Sequence, residues 1–234
     1  MLDKKINVYC PRAYTHEAGS LIRWMAKDFT ISKELDNKVD LVIFKGGVDV
    51  NPSLYGEEKI PATNMPDNNA DKVDIDAYLF ARENKIPMMG ICRGSQFLTV
   101  MNGGRLIQDV TGHGGNHNIK FNDDSVFDMT STHHQMMNPF FDLIEDVDYV
   151  LHAWAEKPLS IKYMTDLADV KSGLIAYADK NNVIREPEIV YYKKTNCLAI
   201  QGHPEYATCS DVTRNKLIDI IKITLMKTKY NVVA

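Results

Sequence analysis

The sequence predicts an α/β fold: a mainly parallel sheet with helices on both faces and added antiparallel strands in the second half. Three observations carry that expectation. Short apolar runs recur along the chain at strand length. In the first half they alternate with segments whose apolar residues fall at helical spacing, the pattern of a sheet covered on both sides. In the second half the runs crowd together with little helix between them.

The strands come first. "INVYC", "VDLVIF" and "IPMMGIC" serve the first half, and "YVLHAWA", "GLIAYA", "EIVYY" and "CLAIQ" serve the second. Between the early runs, "HEAGSLIRWMAKDF" places Leu21, Ile22, Met25 and Phe29 on one helical stripe. "NADKVDIDAYLFARENK" repeats Val73, Ala77 and Phe80 at helical spacing. Its acids come early and Arg82 and Lys85 come late, as the helix dipole favours. "SDVTRNKLIDIIKITLMKT" opens on a Ser or Asp cap and continues as an amphipathic body. No internal repeat or low-complexity linker interrupts the 234 residues, so a single domain over 1–234 is expected.

Composition narrows the function classes. A formal charge of −4 without a basic block disfavours nucleic acid and anionic membrane as partners. No apolar run reaches the ~20 residues of a membrane span, and the opening "MLDKKINVYC" lacks a secretory apolar stretch. Cys10, Cys92, Cys197 and Cys209 show no Cys-x-x-Cys spacing. That argues against a disulfide framework and a zinc ribbon, and for a cytoplasmic setting.

Ligands of open α/β sheets bind at the carboxyl ends of strands, and three strand ends carry unusual residues. In "VIFKGGVDVNPSLYGEE", Gly46 and Gly47 follow a run directly. They make a tight turn or aim their N–H groups at a ligand. In "GICRGSQ", Cys92 stands between Gly90 and Gly94, after a strand and before a helix. A buried cysteine is ordinarily a small hydrophobe. A nucleophile on a strained strand-to-helix turn needs small neighbours, and a helix N-terminus favours thiolate. The Arg93 N–H then points at the same oxyanion, and Gln96 lies one helical turn on, where it can hold a polar substrate group. In "LAIQGHPEY", an extended backbone set by Pro204 would send His203 and Glu205 to the same side. The carboxylate can then orient and charge-stabilise the imidazole.

"GGVDVNPSLYGEE", "GICRGSQFLTVMNGGRLIQD", "STHHQ" and "GHPE", in that order, resemble the class I glutamine amidotransferase superfamily. Within it they are most similar to the γ-glutamyl hydrolase (γ-glutamyl-γ-aminobutyrate hydrolase) branch, from Gly46 to Glu205. The resemblance implies a flavodoxin-like domain with Cys92 as nucleophile, His203 as base and Glu205 as orienter. It implies Gly47 and Arg93 as oxyanion donors, Gln96 at the glutamyl head group, and His133, His134 and Gln135 along the substrate. The chain departs from the branch at Gly202, where an aromatic is usual, at Thr130 and Thr132, and in a long segment after Trp154.

The expected activity is hydrolysis of a small γ-glutamyl amide with no cofactor. The alternative is a glutaminase subunit that passes ammonia to a separate synthetase, since no nucleotide-binding Gly-x-x-x-x-Gly-Lys loop is present. A non-catalytic binding protein would have no need of Cys92, His203 and Glu205 together. The amine leaving group and the oligomeric state stay open, with room for a homodimer. His113 and His117 lie in a glycine-rich loop, and no ligand spacing completes a metal set there. They are read as surface or lid histidines, with no metal.

Overall fold

The computed structural model describes residues 1–165 and 185–230. The run "GLIAYA" and most of the long segment after Trp154 lie outside the described residues.

The first half alternates strands and helices: β1 (Ile6–Tyr9), α1 (Thr15–Ile22), β2 (Phe29–Ile31), β3 (Leu41–Phe44), α2 (Asn68–Glu83), β4 (Met88–Ile91) and α3 (Arg93–Met101). A 3-10 turn at Pro52–Tyr55 interrupts the long passage from β3 to α2. Short strands follow: β5 (Arg105–Ile107), β6 (Asp109–Thr111), β7 (Gly115–Phe121), β8 (Val126–Ser131), β9 (Met136–Asn138), β10 (Tyr149–Ala155) and β11 (Lys162–Met164). The last elements are β12 (Pro187–Tyr192), β13 (Cys197–Ile200), α4 (Asp211–Ile223) and α5 (Lys227–Tyr230).

Nine strands form one sheet in the order β2-β1-β3-β4-β13-β12-β10-β7-β8. The pairs from β2 to β13 are parallel. Those from β13 to β8 are antiparallel. The mixed sheet with a parallel core is therefore as the sequence predicted. Alternation along each strand feeds two cores. On β13, Leu198 and Ile200 join α1 and α4 on one face, with Leu21, Ile22, Leu217 and Ile221. Cys197 and Ala199 join α2 and α3 on the other, with Tyr78, Ala81, Phe97 and Leu98. At ~1.5–3 kcal/mol per fully buried large apolar side chain, these two layers supply most of the favourable folding energy.

Two helices differ from their expected form. The stripe expected through Met25 and Phe29 stops at Ile22. Leu2 bridges Ala26 and accepts its neighbour Lys27 into a backbone bond, and Phe29 then pairs with β1 as a strand residue. Pairing with the sheet thus overrides the local helical pattern. In α2 the buried face is rotated from the one read in sequence. Val73 is 42% exposed, whereas Asp71 and Asp74 are buried beside Ala70, Ala77, Tyr78 and Ala81. Two carboxylates face inward because two guanidiniums wait there. At α4 the cap is Ser210, whose hydroxyl accepts from Thr213 N–H.

Candidate active site

The three unusual strand ends meet because β3, β4 and β13 are neighbours in the sheet. At the end of β4, Cys92 has φ 51° and ψ −113°, a conformation that costs a non-glycine residue about 1–3 kcal/mol. Its N–H is tied to Ile200 O of β13 at 2.9 Å. The flanking glycines are required by contact. A Cβ on Gly90 would lie 2.3 Å from Gly94 O, and one on Gly94 would lie 2.0 Å from Phe44 O. Those distances leave no room for any side chain, so the sequence "GICRG" is what lets the elbow pack against β3.

Beyond β13 the chain turns sharply. Tyr206 N–H donates to His203 O at 3.2 Å, so Pro204 and Glu205 form the centre of a turn rather than the extended stretch expected. Proline suits the second position of such a turn, which explains the difference. The turn still joins the pair: His203 Nδ1 lies 2.8 Å from Glu205 Oε1. Its other nitrogen, Nε2, lies 2.9 Å from Thr132 Oγ1. The Tyr206 ring stacks on the imidazole at 4.3 Å between centroids. A Cβ on Gly46 would stand 3.7 Å from both Cys92 Cβ and His203 Cε1, so thiol and imidazole flank the same glycine. Burial works against a charge on His203. The Cys92 thiolate and Glu205 outweigh it and push the imidazole up to about 10.

Cys10, Cys197 and Cys209 are buried free thiols away from any such base, and burial pushes them up to about 12, 12 and 11.

A pocket of about 550 Å³ opens over this pair, lined by Gly46, Gly47, Gln96, His133, His134 and Gln135 among others. All the residues expected along a substrate are thus brought together. Gln96 is buried and its amide donates to Gln135 O at 2.7 Å. Gln135 in turn accepts from Val50 N–H at 3.2 Å. His134 sits between Asp49 (3.0 Å) and Asp109 (3.1 Å), and the hydrogen bond to Asp49 leads in raising it to about 8. His133 is buried, which together with neighbouring His113 holds it neutral, near 3.

Several residues escaped the sequence reading. Lys45, Glu17 and Asp49 put charges of both signs on the pocket wall, with Lys45 Nζ 2.7 Å from Glu17. Beneath the wall lies a buried ion network. The Arg93 side chain, 1% exposed, reaches Asp71 and Asp74 at 2.5 Å each. Arg12 reaches Asp74 at 2.8 Å and donates to Lys45 O. A Cβ on Gly47 would lie 3.1 Å from Arg93 Cδ and 3.2 Å from Arg12 Nη1. The turn after β3 therefore rests on two guanidiniums. The available signal was the pairing of Asp71 and Asp74 with the small residues of one helix face.

His113 and His117 are a further difference. His113 is 2% exposed and clasped between Glu186 (3.0 Å) and Glu188 (2.8 Å), not at the surface or in a lid. The glutamates come from β12 and the residue before it, too distant in sequence for a spacing argument to find.

Comparison with known proteins agrees with the motifs. The family model described as Peptidase C26 matches residues 6–205. The "Putative glutamine amidotransferase-like protein YvdE" of Lactococcus lactis is 29% identical over 183 residues, covering 78% of this chain and 72% of that protein. A "Putative glutamine amidotransferase" of Mycobacterium tuberculosis is 33% identical over 73% of this chain but only 52% of its own length. The fold is shared with a "putative gmp synthase subunit a protein" from Thermoplasma acidophilum, at TM-score 0.57 and 16% identity over 97% of this chain and 98% of that one. It is shared also with the Trypanosoma brucei CTPS glutaminase domain, at TM-score 0.57 and 13% identity over 95% and 94%.

Proposed function

The chain belongs to the Peptidase C26 family, and from that premise we propose that it hydrolyses a γ-glutamyl amide through a γ-glutamyl thioester on Cys92. The observation that carries the reading is a cysteine on a strained elbow, beside an imidazole held by a carboxylate.

Cys92 thiolate attacks the side-chain amide carbonyl, and negative charge moves to the carbonyl oxygen. Gly47 lines the pocket, and Arg93 follows Cys92 directly in the chain. Their N–H groups donate to no other group among the described residues, so both are free to stabilise the oxyanion. As the C–N bond breaks, His203 gives its proton to the departing amine. A water then loses a proton to His203 and attacks the thioester, the C–S bond breaks, and glutamate leaves with the thiolate restored. Glu205 holds the imidazole in orientation and supports its charge. Pocket charges of both signs suit the α-amino and α-carboxylate groups of a glutamyl head, and Gln96, His133, His134 and Gln135 complete that wall.

Offering the purified chain a panel of γ-glutamyl amides, with glutamate release as the readout, tests the proposal. Release from at least one amide without ATP or a partner protein is expected. A chain that cleaves none of them, yet uses glutamine once an amidating partner is added, would instead be a glutaminase subunit.

A further inference from the structure

Behind the pocket wall lies a cluster that the proposed reaction does not use. His113 Nε2 and His117 Nε2 both approach Glu188 Oε1, at 2.8 and 3.0 Å. One ligand atom from each of these three residues can be chosen so that all lie within 4.8 Å of one another. The His113 and Glu188 side chains are fully buried and that of His117 is 6% exposed. The His133 ring lies 4.7 Å from that of His113.

Hydrogen bonds alone leave this cluster badly satisfied. Both ring nitrogens of His133, Nδ1 of His117 and Oε2 of Glu188 are buried with no partner among the described residues. Buried polar atoms in native structures rarely go unpaired, and a concentration of them in one place calls for an unseen ion or water. Two fully buried carboxylates, Glu186 and Glu188, also clasp His113, and Glu188 meets His117 as well. A divalent cation with neutral imidazoles would balance both carboxylates at once.

We propose that His113, His117 and Glu188 bind a divalent transition-metal ion, zinc foremost, with the unpartnered His133 ring beside the site. Bonds of ~2.0–2.1 Å in a tetrahedron set ligand atoms about 3.3 Å apart. The two short His–Glu separations need to open by only a few tenths of an ångström. The surroundings match the outer shell of such sites, where a carboxylate fixes the far nitrogen of a ligating histidine. Glu186 Oε2 lies 3.0 Å from His113 Nδ1. Glu186 is itself fixed by Leu159 N–H, Ser160 N–H and the Tyr163 hydroxyl at 2.7–2.8 Å. Three protein ligands in a closed, buried setting, behind rather than in the pocket, make the ion structural. It would join the loop before β7, β7 itself and β12, next to the segment carrying His133, and so brace the pocket from behind.

Metal analysis of the untagged full chain tests the site. About one zinc per chain is expected after purification, with loss on chelation and a fall in melting temperature that zinc, and not magnesium, reverses. Glu186→Gln should weaken zinc binding about 10–100-fold. Because a ligand variant can fail to fold, cobalt added to the chelated wild-type chain gives an independent readout. The intense visible absorption of tetrahedral cobalt supports the site. Absence of that spectrum, together with a melting temperature indifferent to zinc, would overturn it. So would a folded Glu188→Gln chain that binds zinc as tightly as wild type, since the ion would then lie elsewhere.

Discussion

Replacing Asp74 by alanine removes the carboxylate that accepts from both Arg12 and Arg93. Asp74 is fully buried, and in its absence Arg12 loses its carboxylate partner while Arg93 keeps Asp71 alone. The wild-type group of two arginines and two aspartates is neutral; the variant carries an uncompensated buried positive charge. Breaking such a pair by removing one partner costs about 3–5 kcal/mol, mostly for the charge left behind. With an unfolding entropy of ~2.1 cal/mol/K per residue over 234 residues, 1 °C corresponds to about 0.5 kcal/mol. A loss of ~4 kcal/mol should therefore lower Tm by roughly 8 °C. The turn carrying Gly46 and Gly47 rests on the same guanidiniums, so kcat should fall as well, measured well below the new Tm. Calorimetry and steady-state hydrolysis read the two effects separately. A Tm within ~2 °C of wild type would refute the claim that this network holds the loop by charge balance.

Three other substitutions test neighbouring parts of the account. Glu205→Gln removes one of the two groups that raise the His203 pKa, so the alkaline limb of the kcat/KM profile should move to lower pH. The sign follows from acylation needing protonated His203: activity is lost as pH rises through that pKa, near 10 in wild type, and an unmoved limb would count against the pairing. Thr132→Val loses the hydroxyl at His203 Nε2, about 1 kcal/mol or roughly a fivefold drop in kcat, read by steady-state kinetics. Gly202→Ala should cost about 1–3 kcal/mol by denaturant unfolding, because its Cβ would lie 2.3 Å from Met129 Cγ. Combined with Met129→Ala it should cost less than the sum of the two single changes.

That last pair also explains a departure from the family pattern. Where the γ-glutamyl hydrolase branch usually has an aromatic before His-Pro-Glu, this chain has Gly202, and the Met129 thioether fills the space. Such compensation is invisible in a linear reading because the two residues are 73 positions apart. The elbow was legible for the opposite reason. Gly90, Cys92 and Gly94 are adjacent, and the crowding that demands glycine there arises within one turn of chain. The parallel core was legible from runs such as "VDLVIF" and "CLAIQ", which are buried on both faces. The short strands β5, β6, β9 and β11 were not, since three residues carry too little periodicity to register. The buried face of α2 misled because polar side chains point inward. Asp71 and Asp74 are satisfied by arginines from other parts of the chain, so hydrophobic spacing finds Ala77 and Phe80 but takes exposed Val73 in place of the two aspartates.

The central claim is that Cys92 is the nucleophile toward a γ-glutamyl group. Its most direct test is to treat the native chain with a diazo-ketone analogue of glutamine and map the label by peptide mass spectrometry. The other three thiols are buried, and burial pushes each up to about 11 or 12, so they are poor nucleophiles at neutral pH. The account predicts stoichiometric label on Cys92, with loss of all activity and protection by a cleavable γ-glutamyl amide. Label on Cys10, Cys197 or Cys209 with Cys92 unmodified would contradict it.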